Sequence, residues 1–196
     1  MNGDLTLLYK CRKTIIELLR DRKYNVPLVF DCEKFSDFKQ LHINKQLDIF
    51  VKEPKKCYVK FIVLNKTRPQ LIREYIEDIQ SKYTEADGNI ILILKNKPHN
   101  SLFKVSKEYK NIQFFWLDEL VNNITHHRLN PKFEKLSENE IVELLKKYNL
   151  KSKLSLPLML PTDAISKYFN FKSGDVCRIT KISPTNGIYI SYRNIK

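Results

Sequence analysis

The feature that most constrains the fold is a set of short, almost entirely apolar segments. Residues 90–94 are all isoleucine or leucine, and residues 58–64 and 112–116 are nearly as apolar. A strand that is apolar on both sides must be buried on both faces of its sheet. Residues 70–83 and 102–109, which lie between these strands in the sequence, have helical spacing. They predict helices that cover the faces of the sheet. The sequence therefore predicts an α/β unit with a mixed sheet of about four strands.

The segments before these strands predict two helices and a first strand. Residues 5–24 place apolar side chains near one helical face, and Asp4 is a candidate N-cap. A shorter helix is predicted over residues 31–41, after Pro27. Apolar and polar residues then alternate over residues 47–51, which indicates the first strand of the sheet.

A polar segment separates this unit from the C-terminal part of the chain. Residues 122–131 are mostly polar and end in proline, which is typical of a linker. Ser137 and Glu140 have the spacing of a capping box, and helical periodicity follows them. We therefore expect an N-terminal domain over 1–122, a junction over 123–136 and a small α+β domain over 137–196.

The end of the chain predicts a two-stranded β-ribbon. Residues 184–187 read Pro-Thr-Asn-Gly, a composition typical of a turn. Apolar positions precede the turn up to Ile182, and Ile188 and Ile190 alternate with polar or aromatic residues after it. A terminal ribbon this rich in tyrosine and arginine is either the closing piece of a core or a docking surface.

Composition limits the classes of partner. The 196 residues carry a formal net charge of +13, which makes nucleic acid, an acidic protein surface or anionic lipid the candidates. The cysteines share no CxxC spacing, and no apolar run approaches the ~20 residues of a membrane span. We expect a reduced, intracellular, soluble protein without a zinc site.

The sequence lacks the usual parts of an enzyme. It has four glycines, none in a phosphate-binding loop, and no Gly-x-Ser-x-Gly elbow. Adjacent His126 and His127 would point apart on a regular element. Asp48 and Lys60 resemble part of the metal site of restriction-type nucleases, but Tyr58 occupies the place of the second carboxylate. We expect no catalytic residue, metal or cofactor, with a divergent metal-dependent nuclease as the alternative.

The C-terminal residues contain a series of polar, aromatic and glycine positions at fixed spacing. They are Leu156-Pro157, Asp163, Tyr168, Gly174, Arg178-Ile179, Lys181, Ser183, Thr185, Gly187 and Tyr189-Ile190-Ser191-Tyr192-Arg193. This series, gapless from Gly174 to Arg193, closely resembles the assembly domain that the fifth subunit of eukaryotic nuclear RNA polymerases shares with its archaeal counterpart.

The resemblance covers essentially the whole chain. Residues 123–127 with Pro131 are similar to the family's junction, and residues 144–148 to its following helix. Residues 12–15 and 21–24 resemble the first helix of the jaw domain. The archaeal counterpart lacks that domain, so the eukaryotic or viral form is implied. Sequence divergence and a composition rich in lysine, asparagine and isoleucine point to a large DNA virus.

Several positions depart from the family pattern. Ala164 replaces a proline, Asn170 a glycine, Ile188 a basic residue and Phe133 a junction histidine. Residues 97–100 read Lys-Pro-His-Asn where the family has Thr-Pro-Ser-Ala. These departures affect the expected details of DNA contact and partner choice.

The resemblance implies a non-catalytic subunit of a multisubunit DNA-directed RNA polymerase, present once per complex. The C-terminal domain would dock on the largest subunit, and the N-terminal domain would form the lower jaw near downstream DNA during transcription. With this role, we expect the apolar face of the ribbon to hold the small domain together and its end rich in tyrosine and arginine to dock the partner. The implied docking residues are Leu156, Pro157, Asp163, Tyr168, Gly174, Arg178, Gly187, Tyr189, Tyr192 and Arg193.

The DNA-proximal candidates are Lys95, Lys97, Pro98, His99 and Lys104. The expected location is the host cytoplasm (the viral factory) and the virion for a viral protein, or the nucleus for a cellular one, with no membrane partner. A free-standing basic DNA-binding factor is a further alternative to the polymerase subunit.

Overall fold

The chain forms two compact units, Met1–Asn122 and Asn123–Lys196. The computed structural model describes residues 2–32, 34–64, 67–82, 88–109, 111–127, 129–183 and 187–196. Each unit contains a mixed four-stranded sheet packed with helices. The predicted fold class, an α/β unit followed by a smaller α+β unit, is confirmed.

The first unit alternates helices and strands. Its elements are α1 (Asn2–Asp21), a 3-10 turn (Leu28–Phe30), α2 (Phe35–Ile43), β1 (Ile49–Val51), β2 (Cys57–Ile62), α3 (Pro69–Lys82), β3 (Asn89–Leu94), α4 (Asn100–Glu108), β4 (Ile112–Trp116) and α5 (Leu117–Leu120). The strand order is β1-β2-β3-β4. β1 is antiparallel to β2, and β2, β3 and β4 are parallel to one another.

The central strand β3 is buried on both faces, as its composition predicts. On one face, Leu92 and Leu94 pack in a core with apolar residues of α3 and α4. On the other face, Ile91 and Ile93 are 0% and 1% exposed. Parallel strands need crossover connections, and α3 and α4 supply them while covering one face of the sheet.

The start of the first unit differs from the prediction in two places. Helix α1 begins at Asn2, so Asp4 lies in its first turn, where its carboxylate is 3.0 Å from the Lys95 ammonium. Helix α2 begins at Phe35 instead of residue 31, and a separate 3-10 turn over residues 28–30 follows Pro27. The residues Asp87-Gly88-Asn89 before β3 have a composition that predicts a turn, and Asp87 lies outside the described residues.

The second unit is organised around a long β-ribbon. Its elements are a 3-10 turn (Ile124–His126), β5 (Lys132–Lys135), α6 (Glu138–Lys147), a 3-10 turn (Lys153–Ser155), β6 (Leu158–Met159), α7 (Ala164–Phe169), β7 (Val176–Ser183) and β8 (Gly187–Ile195). The strand order is β5-β7-β8-β6. β7 and β8 form the predicted ribbon, whose turn residues 184–186 lie outside the described part of the chain.

Two small cores lie on opposite faces of this sheet. Val176 and the half-buried Tyr192 pack with apolar residues of α6 on one face. Cys177 and Ile195, which point to the other face, pack with Ile165 of α7. Alternate side chains of a strand point to opposite faces, so the ribbon holds both cores together.

Residues 123–136, which we expected to form a separate junction, fold as part of the second unit. The Asn123 side-chain amide donates to the Tyr168 hydroxyl at 3.2 Å, and Ile124 packs on the core beside α7. Residues 132–135 form β5, with Phe133 opposite Ile179 of β7. This edge strand was not predicted from the sequence, because it is short and mostly charged and therefore shows no alternation of apolar and polar residues.

Asn170, which replaces a family glycine, ends α7 in the left-handed conformation with φ +57°. Asparagine tolerates this conformation better than other side chains, whereas a β-branched residue is strained there. We expect Asn170→Val to lower the free energy of unfolding by about 1–2 kcal/mol, and Asn170→Gly to leave it equal or slightly higher. Urea unfolding of the three proteins measures the difference. Equal stability of the valine variant would show that the cap is not strained.

Within the described residues, no helix is both long enough and apolar enough to span a membrane.

Candidate functional site

The outer half of the β7–β8 ribbon carries an exposed apolar surface. Ile182 lies opposite Ile188, and Thr180 lies opposite Ile190. These side chains share the face that is buried near the base of the ribbon, yet Ile182, Ile188 and Ile190 are 81%, 70% and 46% exposed. On the opposite face, Tyr189 is 57% exposed. We call Ile182, Ile188, Tyr189 and Ile190 the ribbon tip.

Strand β8 also has a free hydrogen-bonding edge. The backbone N–H of Asn194 donates to the Pro157 carbonyl, and that of Lys196 donates to the Met159 carbonyl. The backbone N–H and C=O groups of the even-numbered residues of β8 therefore point away from β7. Strand β6 pairs only with Asn194 and Ile195. Among the described residues, the outward backbone groups of Ile188 and Ile190 therefore have no strand partner. An edge of this kind is a template for an added strand.

Nine of the ten implied docking residues fall into two groups. The first supports the fold of the second unit. Leu156 and Tyr168 are buried, Asp163 accepts a hydrogen bond from the backbone of Ile165 at the start of α7, and Gly174 has φ +92°. Tyr192 is half-buried, with its ring 6.1 Å from that of Tyr148. Leu156 and Tyr168 therefore support the unit from its core, whereas the exposed Asp163 caps α7.

The second group lies at the surface. Pro157, Gly187 and Tyr189 are exposed, and the exposed Arg193 donates to the Leu158 carbonyl at 3.1 Å. Leu158 and Leu160 beside them are 51% and 64% exposed. Pro157 and Arg193 therefore lie beside the exposed apolar side chains of Leu158 and Leu160.

The expectation that the apolar face of the ribbon holds the domain together is wrong at the ribbon tip. Val176 near the base is buried, whereas Ile182 and Ile188 lie outside the core formed with α6 and are mostly exposed. Period-2 hydrophobicity predicts which side chains share a face, but not how far a covering helix reaches. The replacement of a family basic residue by Ile188 was the available signal that this surface is apolar.

Arg178, the remaining implied docking residue, belongs to an ion-pair network on β5 and β7. Its guanidinium is 2.9 Å from the Glu134 carboxylate, which also lies 2.7 Å from the Lys132 ammonium. Hydrogen bonds from Lys132 and Arg178 lower the pKa of Glu134. The bond from Glu134 raises the pKa of Arg178. The network links the edge strand to the ribbon.

The Glu134 network predicts a pH dependence of the second unit. Because the pKa of Glu134 is lower in the folded chain, its ion pairs stabilise the fold fully above the unfolded glutamate pKa of about 4.3. It is lost as the pH falls through the folded pKa. Glu134→Gln should cost up to about 1 kcal/mol at pH 7, since these side chains are partly exposed. The difference in free energy of unfolding between the wild-type chain and Glu134→Gln should vanish once the pH is below the folded pKa of Glu134.

Urea unfolding at pH 7 and pH 3 checks this dependence. Glu143→Gln removes an exposed carboxylate of α6 and is the matched control. If Glu134→Gln lowers the free energy of unfolding as much at pH 3 as at pH 7, the ion pairs of Glu134 are not the cause of the loss.

The nuclease-like residues of the first unit form a closed polar cluster. The Tyr58 hydroxyl donates to Asp48 Oδ2 at 2.9 Å, and the Phe61 backbone N–H donates to Oδ1 at 3.0 Å. The Lys60 ammonium is 3.5 Å from the same carboxylate and 4.9 Å from the centre of the Tyr75 ring. Both carboxylate oxygens are therefore engaged by donors, and a tyrosine hydroxyl supplies no second acidic ligand. The arrangement suits a structural cluster.

No group of three or more possible metal ligands occurs among the described residues. The four cysteines are unpaired and buried. Burial raises the pKa of Cys11 to about 12 and that of Cys57 and Cys177 to about 11. These three thiols are protonated at neutral pH and make poor nucleophiles.

The DNA-proximal candidates lie around the turn between β3 and α4. Lys95 pairs with Asp4, and the Lys97 ammonium is 5.9 Å from the centre of the Trp116 ring. Pro98 is buried, whereas His99, Lys97 and Lys104 are exposed. The turn therefore carries the exposed Lys97 and His99, and α4 carries the exposed Lys104, with Lys95 partly neutralised.

Comparison with known proteins gives consistent matches. The family described as RNA polymerase Rpb5, C-terminal domain, matches residues 122–195. The chain is 30% identical to DNA-directed RNA polymerases I, II, and III subunit rpabc1 of Dictyostelium discoideum, over 97% of this chain and 98% of that protein. It is 26% identical to DNA-directed RNA polymerase V subunit 5A of Arabidopsis thaliana, over 94% and 86% of the two chains. A 28% identity to DNA-directed RNA polymerase subunit 5-like protein 1 of Arabidopsis thaliana spans 98% of this chain and 97% of that protein.

Proposed function

Because this chain belongs to the family of subunit 5 of DNA-directed RNA polymerases (Rpb5), we propose that it is a non-catalytic subunit that docks on the largest polymerase subunit and guides downstream DNA. The observation that carries the proposal is the 30% identity over 97% of the chain, since it includes both units. Nucleotide transfer belongs to the large subunits. The nuclease alternative is not favoured, because the donors around Asp48 occupy its carboxylate.

The ribbon tip supports docking through the second unit. Its three isoleucines and Tyr189 form apolar surface that water solvates poorly. Tyrosine and arginine are common at the centres of interfaces. Tyr189 lies between Ile188 and Ile190 in β8, and Arg193 follows three residues after Ile190. The free edge of β8 would let the partner add main-chain hydrogen bonds to this apolar contact.

The first unit is proposed as the lower jaw beside downstream duplex DNA. Lys97, His99 and Lys104 would contact phosphates without reading sequence, so their contribution should fall steeply with salt. The buried Pro98 would set the shape of the turn, and the pairing with Asp4 would limit the contribution of Lys95.

We further propose a virus-encoded version that acts in the host cytoplasm and is packaged in the virion. The support is the modest 26–30% identity to the cellular relatives above, together with the lysine-, asparagine- and isoleucine-rich composition. Fluorescence imaging of the tagged chain in cells that express the other subunits of its polymerase tests the location. Accumulation in the nucleus would favour a cellular subunit instead.

Native affinity purification of the tagged chain tests the central proposal. We expect the two largest polymerase subunits to be recovered with it in equal amounts, since one copy is proposed per complex. Recovery of the chain with DNA but without these subunits would favour a free-standing DNA-binding factor and overturn the proposal.

A further inference from the structure

A cavity of about 280 Å³ lies in the first unit, between α1 and the residues after the first 3-10 turn. Charged residues of α1 and the following segment line it, namely Arg12, Lys13, Glu17, Arg20 and Asp31, together with Ile16. We call it the α1 cavity. It is built from residues that belong neither to the ribbon tip nor to the DNA-proximal turn.

Arg12 contributes a buried charge whose hydrogen bonds go to uncharged acceptors. The residue is 2% exposed, and its guanidinium donates to the Phe30 carbonyl and to Cys32 Sγ. Its Nε has no hydrogen-bond partner within the described chain. Burial lowers the pKa of Arg12, but a guanidinium stays protonated at neutral pH. The Asp31 carboxylate offsets part of the Arg12 charge, but Asp31 is itself paired with Arg20. A buried guanidinium whose hydrogen bonds go to neutral groups therefore still projects a positive potential into the space beside it.

The other charged groups leave the cavity with a small positive excess. Lys13 is exposed, with its ammonium 5.6 Å from the centre of the Tyr9 ring. Arg20 is 2.6 Å from the Asp31 carboxylate, and Glu17 supplies a second carboxylate to the wall. Three cationic and two anionic side chains therefore line the cavity. This excess suits a single carboxylate and disfavours a polyanion.

Two exposed aliphatic residues lie in the segment that leads into Asp31 and Cys32 of the cavity lining. Leu28 and Val29 are 80% and 89% exposed and immediately precede Phe30, whose carbonyl accepts from Arg12. Ile16 adds an apolar position inside the lining. Large apolar side chains held in water beside a cationic cavity fit a ligand that is itself both acidic and aliphatic.

We propose that the α1 cavity binds a segment of another protein that presents an acidic side chain flanked by aliphatic side chains. The acidic group would lie near Lys13 and Arg20, in the field of the buried Arg12, while the aliphatic groups cover Leu28 and Val29. Nucleic acid fits less well, because the carboxylates of Glu17 and Asp31 repel phosphates and the aliphatic pair offers phosphates no partner. This binding site is separate from the proposed docking and DNA contacts.

Fluorescence polarisation on the full chain tests the proposal. The probe is a labelled synthetic peptide of repeated Leu-Asp-Leu units, and the control probe has asparagine in place of aspartate. We expect Lys13→Gln and Arg20→Gln each to weaken peptide binding about five- to tenfold. Lys10→Gln, an exposed lysine on the same helix outside the cavity, should leave binding unchanged. Replacing both Leu28 and Val29 with serine should also weaken it.

The substituted side chains are exposed, so circular dichroism should show an unchanged fold in every variant. Equal binding of the aspartate and asparagine peptides would overturn the proposal, as would an effect of Lys10→Gln as large as that of Lys13→Gln. Displacement of the peptide by an equimolar short DNA duplex would assign the cavity to nucleic acid instead. Because the assay contains no other polymerase subunit, its result does not depend on whether the chain assembles into a polymerase.

Discussion

Replacing Ile188 with aspartate is expected to prevent incorporation into the polymerase while the isolated chain keeps its fold. Ile188 is 70% exposed in the free chain, so the charge remains in water and stability should change by less than about 0.5 kcal/mol. In a complex that covers the ribbon tip, the same carboxylate would be buried against apolar surface. Losses of about 2–4 kcal/mol at the centre of an interface correspond to roughly 30- to 1000-fold weaker binding.

Co-purification of the tagged variant with the largest subunit measures this loss, in competition with the untagged wild-type chain. Ile43→Asp is the matched control, because Ile43 is 76% exposed but belongs to the first unit. Tyr189→Ala and Arg193→Ala should weaken incorporation less, since neither introduces a buried charge. Normal incorporation of Ile188→Asp would show that the ribbon tip is not the docking surface.

Replacing Asp48 with alanine is expected to destabilise the first unit by about 3 kcal/mol. The change removes the acceptor of the Tyr58 hydroxyl and of the Phe61 backbone N–H. It also leaves Lys60, whose side chain is 20% exposed, without its carboxylate partner. Hydrogen bonds to charged groups contribute about 1.5–3 kcal/mol each, although linked bonds are not additive. The loss should therefore exceed that of a surface ion pair.

Urea unfolding of the first unit, followed by the fluorescence of Trp116, measures this cost. Asp78→Ala is the matched control, because it breaks an exposed pair with Lys82 and should cost only about 0.5 kcal/mol. Neither the wild-type chain nor the variants should cleave DNA in Mg²⁺ or Mn²⁺. Metal-dependent cleavage that disappears in Asp48→Ala, with stability unchanged, would reverse the structural interpretation of this cluster.

The strands of the first unit could be predicted because burial on both faces leaves a strong signal. Residues 90–94 have no polar position, and β3 occupies Asn89–Leu94 with β2 and β4 on either side. The end of the chain was equally predictable, since turn residues separate two alternating segments that pair as β7 and β8. Strand β5 was not predictable, because Phe133 is its single apolar residue and its place depends on pairing with β7.

The candidate sites were also only partly predictable from the sequence. The spacing of residues 174–193 indicated the family, but it could not separate buried supports such as Tyr168 from exposed residues such as Tyr189. Asp48 and Lys60 could be paired from the sequence, whereas the Tyr58 hydroxyl bond that closes the cluster required the register of β1 against β2. The α1 cavity had no sequence signal, because its lining comes from a helix face and a later segment.

The sequence by itself determined the strands, the ribbon and the family, because apolar runs, turn residues and fixed spacing are local properties of the chain. Only the tertiary structure decided that Ile182, Ile188 and Ile190 remain exposed while Val176 is buried. The physical reason is that periodicity specifies which side chains share a face of a strand. Whether that face is covered depends on how far helices from elsewhere in the chain extend along it, and α6 covers only the base of the ribbon.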